Sequence, residues 1–299
     1  MDINSTNLEA LRVGFKTSFM AGLGEADADV ELICTTVPSS NAEEKYGWLG
    51  EFAEMREWIG DRVLQNLAEH DYAIRNKDWE LTVGVDRNHI LDDNLGIYAK
   101  RFEGIGRAVR AHKPRSAFGL LKLGFSTLCY DGQFFFDTDH PVIDKNGVVQ
   151  SVANTDGGSG AAWFLMDSRM LLKPIIFQER KKPEFVYMDK PNDAPVFNRK
   201  KHVYGVDSRD NVGFGFWQGI WGSKQTLDAT NYAEARAAIM NMTGDFGRPL
   251  GLVPDVLICD ATNESKARKL LINENASGGE SNEWKGTARP VVSSWLAAA

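Results

Sequence analysis

The chain has 299 residues, with 34 Lys+Arg against 41 Asp+Glu, a net charge of −7, 43% hydrophobic and 25% charged content. That composition excludes a disordered or fibrous chain and fits one large domain or two intimate ones, and its acidic balance argues against a surface that coats nucleic acid. Cys34, Cys129 and Cys259 form neither a CxxC nor an even set for disulfides, which fits a reducing compartment.

At the N-terminus, Asp2 and Glu9 stand where a signal peptide would carry Lys or Arg. The longest apolar stretch, Gly119 to Tyr130, is broken by Lys122 and falls short of the ~18 residues of a membrane span. The expectation is a soluble chain that stays where it is made. Leu8, Leu11, Phe15 and Phe19 recur at helical spacing and predict an amphipathic helix stopped by Gly22 and Gly24. The acidic patch Glu25, Asp27, Asp29 and Glu31 reads as a solvated tether.

Residues 41–92 scatter Trp48, Trp58 and Trp79 among many charges. Asn76-Lys-Asp78 reads as a turn between extended flanks, and Leu81, Val83 and Val85 then alternate as in a half-buried strand. This stretch has the character of a long projecting hairpin, whose exposed aromatics would meet another molecule. Asp92, Asp93 and Asn94 are capping candidates for a helix over 93–112. Its apolar stripe is Ile97, Phe102, Ile105 and Val109, and its other face carries Lys100, Arg101, Arg107 and Arg110. Pro114 ends or kinks it. Residues 1–90 carry 8 basic and 17 acidic side chains, net −9, whereas 97–124 carry 7 and 1, net +6. Neutralisation within one molecule and pairing between copies both fit that segregation.

Residues 126–225 are β-rich. Ser126–Tyr130 and Gln133–Phe136 flank Asp131-Gly132, a favoured hairpin dipeptide. A polar loop over 154–160 precedes strands at Trp163–Met166 and Lys173–Phe177, and Val212 to Trp221 alternates as one glycine-bearing strand. Beyond it, Asp228 or Thr230 caps a helix carrying Tyr232, Ala235, Ile239 and Met242 and ended by Gly244. Pro254–Cys259 reads as a buried strand, Thr262 caps a helix with Ala267, Leu270 and Leu271 inward, and 273–286 reads as a polar, mobile loop.

Asp137, Asp139 and His140 could ligate a divalent metal or support acid–base chemistry, against the plainer reading of a polar turn closing a hairpin. Cys129 with His140 could form a nucleophile and base, against the plainer reading of a buried thiol. Gly213, Gly215 and Gly219 miss the dinucleotide fingerprint, because the third glycine falls one position late and no helix follows. Gly222-Ser-Lys224 lacks P-loop spacing, and no Gly-x-Ser-x-Gly elbow exists. The basic helix carries no groove-reading motif. No catalytic, cofactor or metal residue is therefore assigned, no cofactor is expected, and the chain reads as an assembly subunit.

A series of segments carries a resemblance. They are Thr35-Thr-Val-Pro-Ser39, Tyr46-Gly-Trp-Leu-Gly50, Arg56-Glu-Trp-Ile-Gly-Asp-Arg62, Ile74-Arg-Asn-Lys-Asp78 and Phe118-Gly-Leu-Leu121. Next come Cys129-Tyr-Asp-Gly-Gln133, Phe136-Asp-Thr-Asp-His-Pro141, Lys173-Pro-Ile-Ile-Phe-Gln-Glu-Arg180, Lys182-Pro-Glu-Phe185 and Tyr204-Gly-Val206. Gly247-Arg-Pro-Leu-Gly251, Pro254-Asp-Val-Leu257 and Val291-Val-Ser-Ser-Trp-Leu296 close the series. In this order they resemble the major head (capsid) subunits of Mu-like phages, from about residue 5 to 296.

The resemblance implies an α+β fold of the Hong Kong 97 phage capsid type. It places an N-terminal arm at 1–40, an extended loop at 41–76, a peripheral domain at 77–225 with a spine helix at 93–112, and axial-domain helices with the tail at 226–299. It implies a non-enzymatic major capsid protein that self-assembles, as hexamers and pentamers, into an icosahedral shell around double-stranded DNA. Scaffolding and portal proteins and a head protease would be its partners during assembly in the host cytoplasm. Contact with packaged DNA would be sequence-independent, no membrane would be involved, and the mature location would be the virion. Trp48, Met55 and Trp58 are then candidate intersubunit anchors. Arg56 and Arg62, with Lys100, Arg101, Arg107 and Arg110, are candidate charged contacts. An encapsulin-like compartment shell is the alternative, and a metal-dependent enzyme at Asp137, Asp139 and His140 is a weaker one.

Overall fold

The Asn4 side chain accepts the Asn7 amide and opens helix α1 (Ser5–Leu23), which Gly24 closes at φ 52. The computed structural model describes residues 4–24, 28–47, 49, 71–92, 96–276 and 278–297. After α1 come α2 (Ala28–Ile33), β1 (Cys34–Pro38), β2 (Glu43–Lys45), β3 (Ala73–Arg75), β4 (Lys77–Asp86), α3 (Arg87–Leu91), α4 (Gly96–Arg110) and α5 (His112–Leu123). The middle of the chain adds β5 (His140–Ile143), β6 (Val149–Val152), β7 (Thr155–Gly158), β8 (Trp163–Met166), β9 (Ile175–Met188), α6 (Ala194–Arg199), β10 (Lys201–Phe214) and β11 (Ile220–Lys224). The last quarter holds α7 (Ala229–Met240), the short pair β12 (Thr243–Gly244) and β13 (Arg248–Pro249), β14 (Val256–Cys259), α8 (Glu264–Leu271) and β15 (Arg289–Val292).

Two sheets organise these elements. One runs β1-β9-β10-β4, with β1 parallel to β9 and the other pairs antiparallel. The other runs β15-β14-β8-β11-β7, parallel at both outer pairs. β8 and β14 are buried at every position, the pattern of central strands covered on both faces. Helix α7 packs on β8 and β11, and α8 on β14 and β15. This second sheet draws β7, β8 and β11 from the stretch before residue 225, so a cut at that position separates strands that are hydrogen-bonded neighbours.

The long β9–β10 ribbon serves two cores. Its inner half places Ile175, Ile176, Phe177 and Phe214 in the main core. Its outer half places Tyr204 and Val206 in a second core with Leu8, Phe15 and Phe19 of α1 and Tyr98, Phe102 and Ile105 of α4, while Phe185 packs at its edge. Phe15 stacks on Phe102 at 4.2 Å and meets Tyr204 edge-on at 5.2 Å. The two helices touch backbone to backbone. A Cβ on Gly22 would lie 2.0 Å from the Glu103 carbonyl oxygen, and one on Gly106 would lie 2.1 Å from that of Phe19. Gly22 is thus a contact point inside α1, and Gly24 alone is the stop.

Several sequence expectations are corrected. The helix predicted over 93–112 is two segments: α4 ends at Arg110, Ala111 sits at φ −70 and ψ −11, and α5 continues to Leu123. Pro114 falls in the first turn of α5, where its missing N–H breaks no helical bond. Ile97 is exposed and Tyr98 takes its place in the core. Val212 to Trp221 is not one strand. β10 stops at Phe214 and the chain crosses to the second sheet through residues 215–219, with Phe216 and Trp217 buried. Residues 154–160 form a buried corner at Asn154 and then edge strand β7. The hairpin at Asp131-Gly132 reduces to a Leu128↔Phe134 bridge around Gly132 at φ 85. The polar stretch after α8 is held: the Asn282 side chain donates to the carbonyls of Leu270 (2.9 Å) and Asn273 (2.9 Å). Among the described residues no helix is long and apolar enough to cross a membrane.

Candidate assembly surface

More than 25 residues of sequence separate β2 from β3, most of them outside the described residues, and the two strands pair antiparallel, Glu43↔Arg75 to Lys45↔Ala73. Polar groups fix this pair, the root of the connection. Gln178 on β9 is fully buried; its Nε2 donates to the Ile74 carbonyl (2.9 Å) and Asn76 Oδ1 (2.8 Å), and its Oε1 accepts the Tyr46 hydroxyl (2.9 Å). Asn76 Nδ2 donates to Ser39 Oγ and the Asn41 carbonyl, both at 2.9 Å. Asn76 is therefore a buried corner, not an exposed turn. Glu44 Oε1 accepts the amides of Ser40 (2.7 Å) and Asn41 (3.0 Å) and the Ser39 hydroxyl (3.0 Å). Those two amides, with the Asn41 and Ser39 side chains, lower its carboxyl from 4.5 to about 2. Both strands are thereby tied to the sheet.

The basic face of α4 is a second candidate surface, separate from the β2–β3 pair. Lys100, Arg101, Arg107 and Arg110 are all exposed, as the helical spacing predicts. Glu103 pairs with Lys100 (3.1 Å) and Arg107 (2.6 Å), and both partners hold its carboxyl below the ordinary range. One carboxylate against four cations leaves this face strongly positive. Part of the acidic N-terminal third is spent within the molecule: Glu31 pairs with Lys113 and Asp29 with Arg289 at 2.8 Å. Asp29 and Glu31 of the acidic patch are thus docked on the body and not a free tether, while Glu25 and Asp27 lie outside the described residues. Trp79 is 41% exposed, and its indole N–H donates to the Asp210 carbonyl (3.2 Å) while its ring lies over His112 (4.6 Å). Trp48, Met55, Arg56, Trp58 and Arg62 lie outside the described residues.

The candidate chemical cluster does not form. Asp139 is exposed, and Asp137 accepts the amides of Phe134 (3.2 Å) and Thr138 (2.7 Å). His140 turns inward to Asp131 instead, at 2.7 Å. The Cys129 thiol also donates to Asp131 (3.0 Å), and burial with that carboxylate pushes the thiol well up, so it is no nucleophile toward His140. Burial likewise pushes Cys34 and Cys259 up to about 12. Sequence reasoning missed Gln178 and Glu44 and read Asn76 only as part of a turn, and only the crowding of polar side chains beside strand patterns pointed to them.

This arrangement of two sheets and their helices has counterparts among solved structures. The subunit in the procapsid of bacteriophage JBD30 superimposes with a TM-score of 0.85 at 41% identity, covering 98% of this chain and 100% of that one. The class is thus the phage major capsid subunit of the Hong Kong 97 type, with its α+β fold. The family of the Mu-like prophage major head subunit gpT matches residues 8–296. The Mu-like prophage FluMu major head subunit of Haemophilus influenzae is 42% identical over 274 residues, covering 89% of each chain. The major capsid protein of Escherichia phage Mu is 37% identical over 305 aligned residues, covering 99% of this chain and 100% of its own length. The chain belongs to the Mu-like major head subunit family, and it is a structural component of the phage virion, not an enzyme.

Proposed function

We propose that this subunit builds its shell through the rooted excursion between β2 and β3 and the basic face of α4, each meeting a neighbouring copy. In this reading residues 1–40 supply the arm and 41–76 the extended loop. The β1-β9-β10-β4 sheet with α4 and α5 supplies the peripheral domain and its spine. The second sheet with α7 and α8 supplies the axial domain, closed by the tail. The observation that supports the reading is the buried Gln178–Asn76–Tyr46 network, which ties both ends of the 46–72 connection to β9. A fixed root lowers the entropy lost when a long projection docks. Repeated contacts of about 1,600 Å² would suffice for a stable lattice.

Hexamers and pentamers would form from such contacts in the host cytoplasm, with scaffolding and portal proteins and a head protease as partners. DNA would be met through its phosphates without sequence preference. Trp48, Met55 and Trp58 would supply apolar anchors, and Arg56 and Arg62 would pair with acidic groups on the next copy. The test is Arg56→Glu with Arg62→Glu, examined by electron microscopy and thermal melting. The expected result is folded subunits with a wild-type melting temperature and no particles. Normal particles from the double variant would contradict the proposal.

A further inference from the structure

His140 is fully buried and lies flat on the Trp217 indole, with ring centroids 3.9 Å apart at 11°. Each ring nitrogen faces an oxygen: Nδ1 is 2.7 Å from Asp131 Oδ2, and Nε2 is 3.3 Å from Asn154 Oδ1. The Asn154 amide has only one sensible orientation. Its Nδ2 donates to the carbonyls of Phe135 (2.8 Å) and Trp217 (3.4 Å), and its Oδ1 accepts the Asp137 amide (3.0 Å). Flipped, it would aim an NH₂ at that N–H and an oxygen at two carbonyls. Nε2 must then carry a proton.

Asp131 is an acceptor on its other oxygen too, taking the Cys129 thiol (3.0 Å) and the Gln133 amide (3.1 Å) on Oδ1. Burial raises its carboxyl, but the bonds from His140, Cys129 and Gln133 outweigh that and hold it below the usual carboxylate range. A carboxylate on Nδ1 and a carbonyl on Nε2 leave the ring no acceptor role. We infer that His140 sits in the fold as a doubly protonated imidazolium, paired with Asp131 and the Trp217 face, and that this buried pair positions the crossover between the two sheets. Four segments meet at it: the 129–133 turn, the start of β5, the corner before β7 and the 215–219 crossover.

The other titratable groups around it are the neutral Cys129 thiol, Tyr130, whose hydroxyl bonds the buried Gln218 (2.9 Å), Asp137 through its backbone amide, and the adjacent exposed Asp139. An indole face and a carboxylate both favour a cation in a dry site. The pair is a positioning device, and its contribution lasts while the ring is charged. A ring with one proton would have to turn a lone pair to either Asp131 or the Asn154 oxygen. The ligand atoms of Cys129, Asp131 and His140 also lie within 4.8 Å of one another, so a metal ion is the competing occupant, and it would require a bare Nδ1.

Long-range ¹H–¹⁵N spectra of the ¹⁵N-histidine-labelled full chain test this, with His140 assigned through its contacts to the Trp217 ring. The expected result at neutral pH is two protonated ring nitrogens on His140. One bare nitrogen, or an equivalent of zinc in the purified chain, would overturn the inference. The second readout is melting temperature against pH for wild type and Asp131→Asn. The wild-type advantage should be full on the mildly acid side, below the range where a free imidazole deprotonates, and shrink as pH rises, and parallel profiles would also overturn the inference.

Discussion

The inner half of the β9–β10 ribbon is enclosed by both sheets, α5 and the 129–136 turn, in a core that includes Trp163, Phe164 and Trp217. The outer half is covered mainly by α1 and α4, through Leu8, Phe15, Phe19 and Phe102 against Tyr204, with Ile90 of α3 completing the cluster. The first region draws on segments from residue 30 to residue 296 and cannot open without dismantling the subunit. The second is a terminal helix laid on a helix and a ribbon, so its cover can leave while the ribbon remains. A shell subunit needs a body that survives assembly and outer elements free to repack on neighbours. In the proposed reading the two cores divide those tasks along one pair of strands.

The difference can be broken experimentally, beginning with the inner region. Trp163→Ala should cost about 3–5 kcal/mol, since it removes a fully buried indole and orphans the Gln225 carbonyl it donates to at 3.0 Å. Denaturant titration should show one cooperative transition at a much lower midpoint. Gly106→Leu is the matching change outside. Its Cβ would strike the Phe19 carbonyl oxygen, so α1 must lift, at a cost of about 1–3 kcal/mol. Limited proteolysis should then cut within 5–23 while tryptophan fluorescence of the main core keeps its midpoint. Equal loss of both regions would show that they are one cooperative unit.

Smaller effects sharpen the account at the root of the excursion. Gln178→Leu removes the buried hydrogen bonds that Gln178 makes to the Tyr46 hydroxyl, Asn76 Oδ1 and the Ile74 carbonyl, and about 1–3 kcal/mol should be lost. Hydrogen exchange at Tyr46 and Asn76 should rise more than at β8. Glu44 gives a pH test whose sign is fixed. Its carboxyl is depressed from 4.5 to about 2, so its contribution is present above 4.5 and lost as pH falls toward 2. Amide exchange at Ser40 and Asn41, normalised for intrinsic rate, should accelerate across that window, and Glu44→Gln should remove most of the dependence.

How far these regions were legible in the sequence follows from their physics. Helical periodicity located α1, α7 and α8, and unbroken apolar composition located β8 and β14, because those elements bury faces of regular spacing. The split between β10 and β11 was hidden because both flanks of the crossover are buried, so the alternation of aromatics and glycines runs through it without interruption. The edge strand β7 was hidden by its glycines. The basic row on α4 was read correctly as exposed, but Gln178, Asn76 and Asn154 were not found, since single polar residues default to the surface in any composition argument. The capsid fold itself came from ordered short segments matching a family, not from periodicity.

The central claim is that the outer elements serve assembly and the inner core serves the fold. Lys100→Glu with Arg107→Glu tests it most directly, with electron microscopy for particles and calorimetry for the subunit. Both side chains are exposed and touch only Glu103 among the pairs seen here, so the melting temperature should change by no more than the few tenths of a kcal/mol that such helix pairs contribute. The account predicts a folded subunit that forms no shells. Wild-type shells from that variant would contradict it.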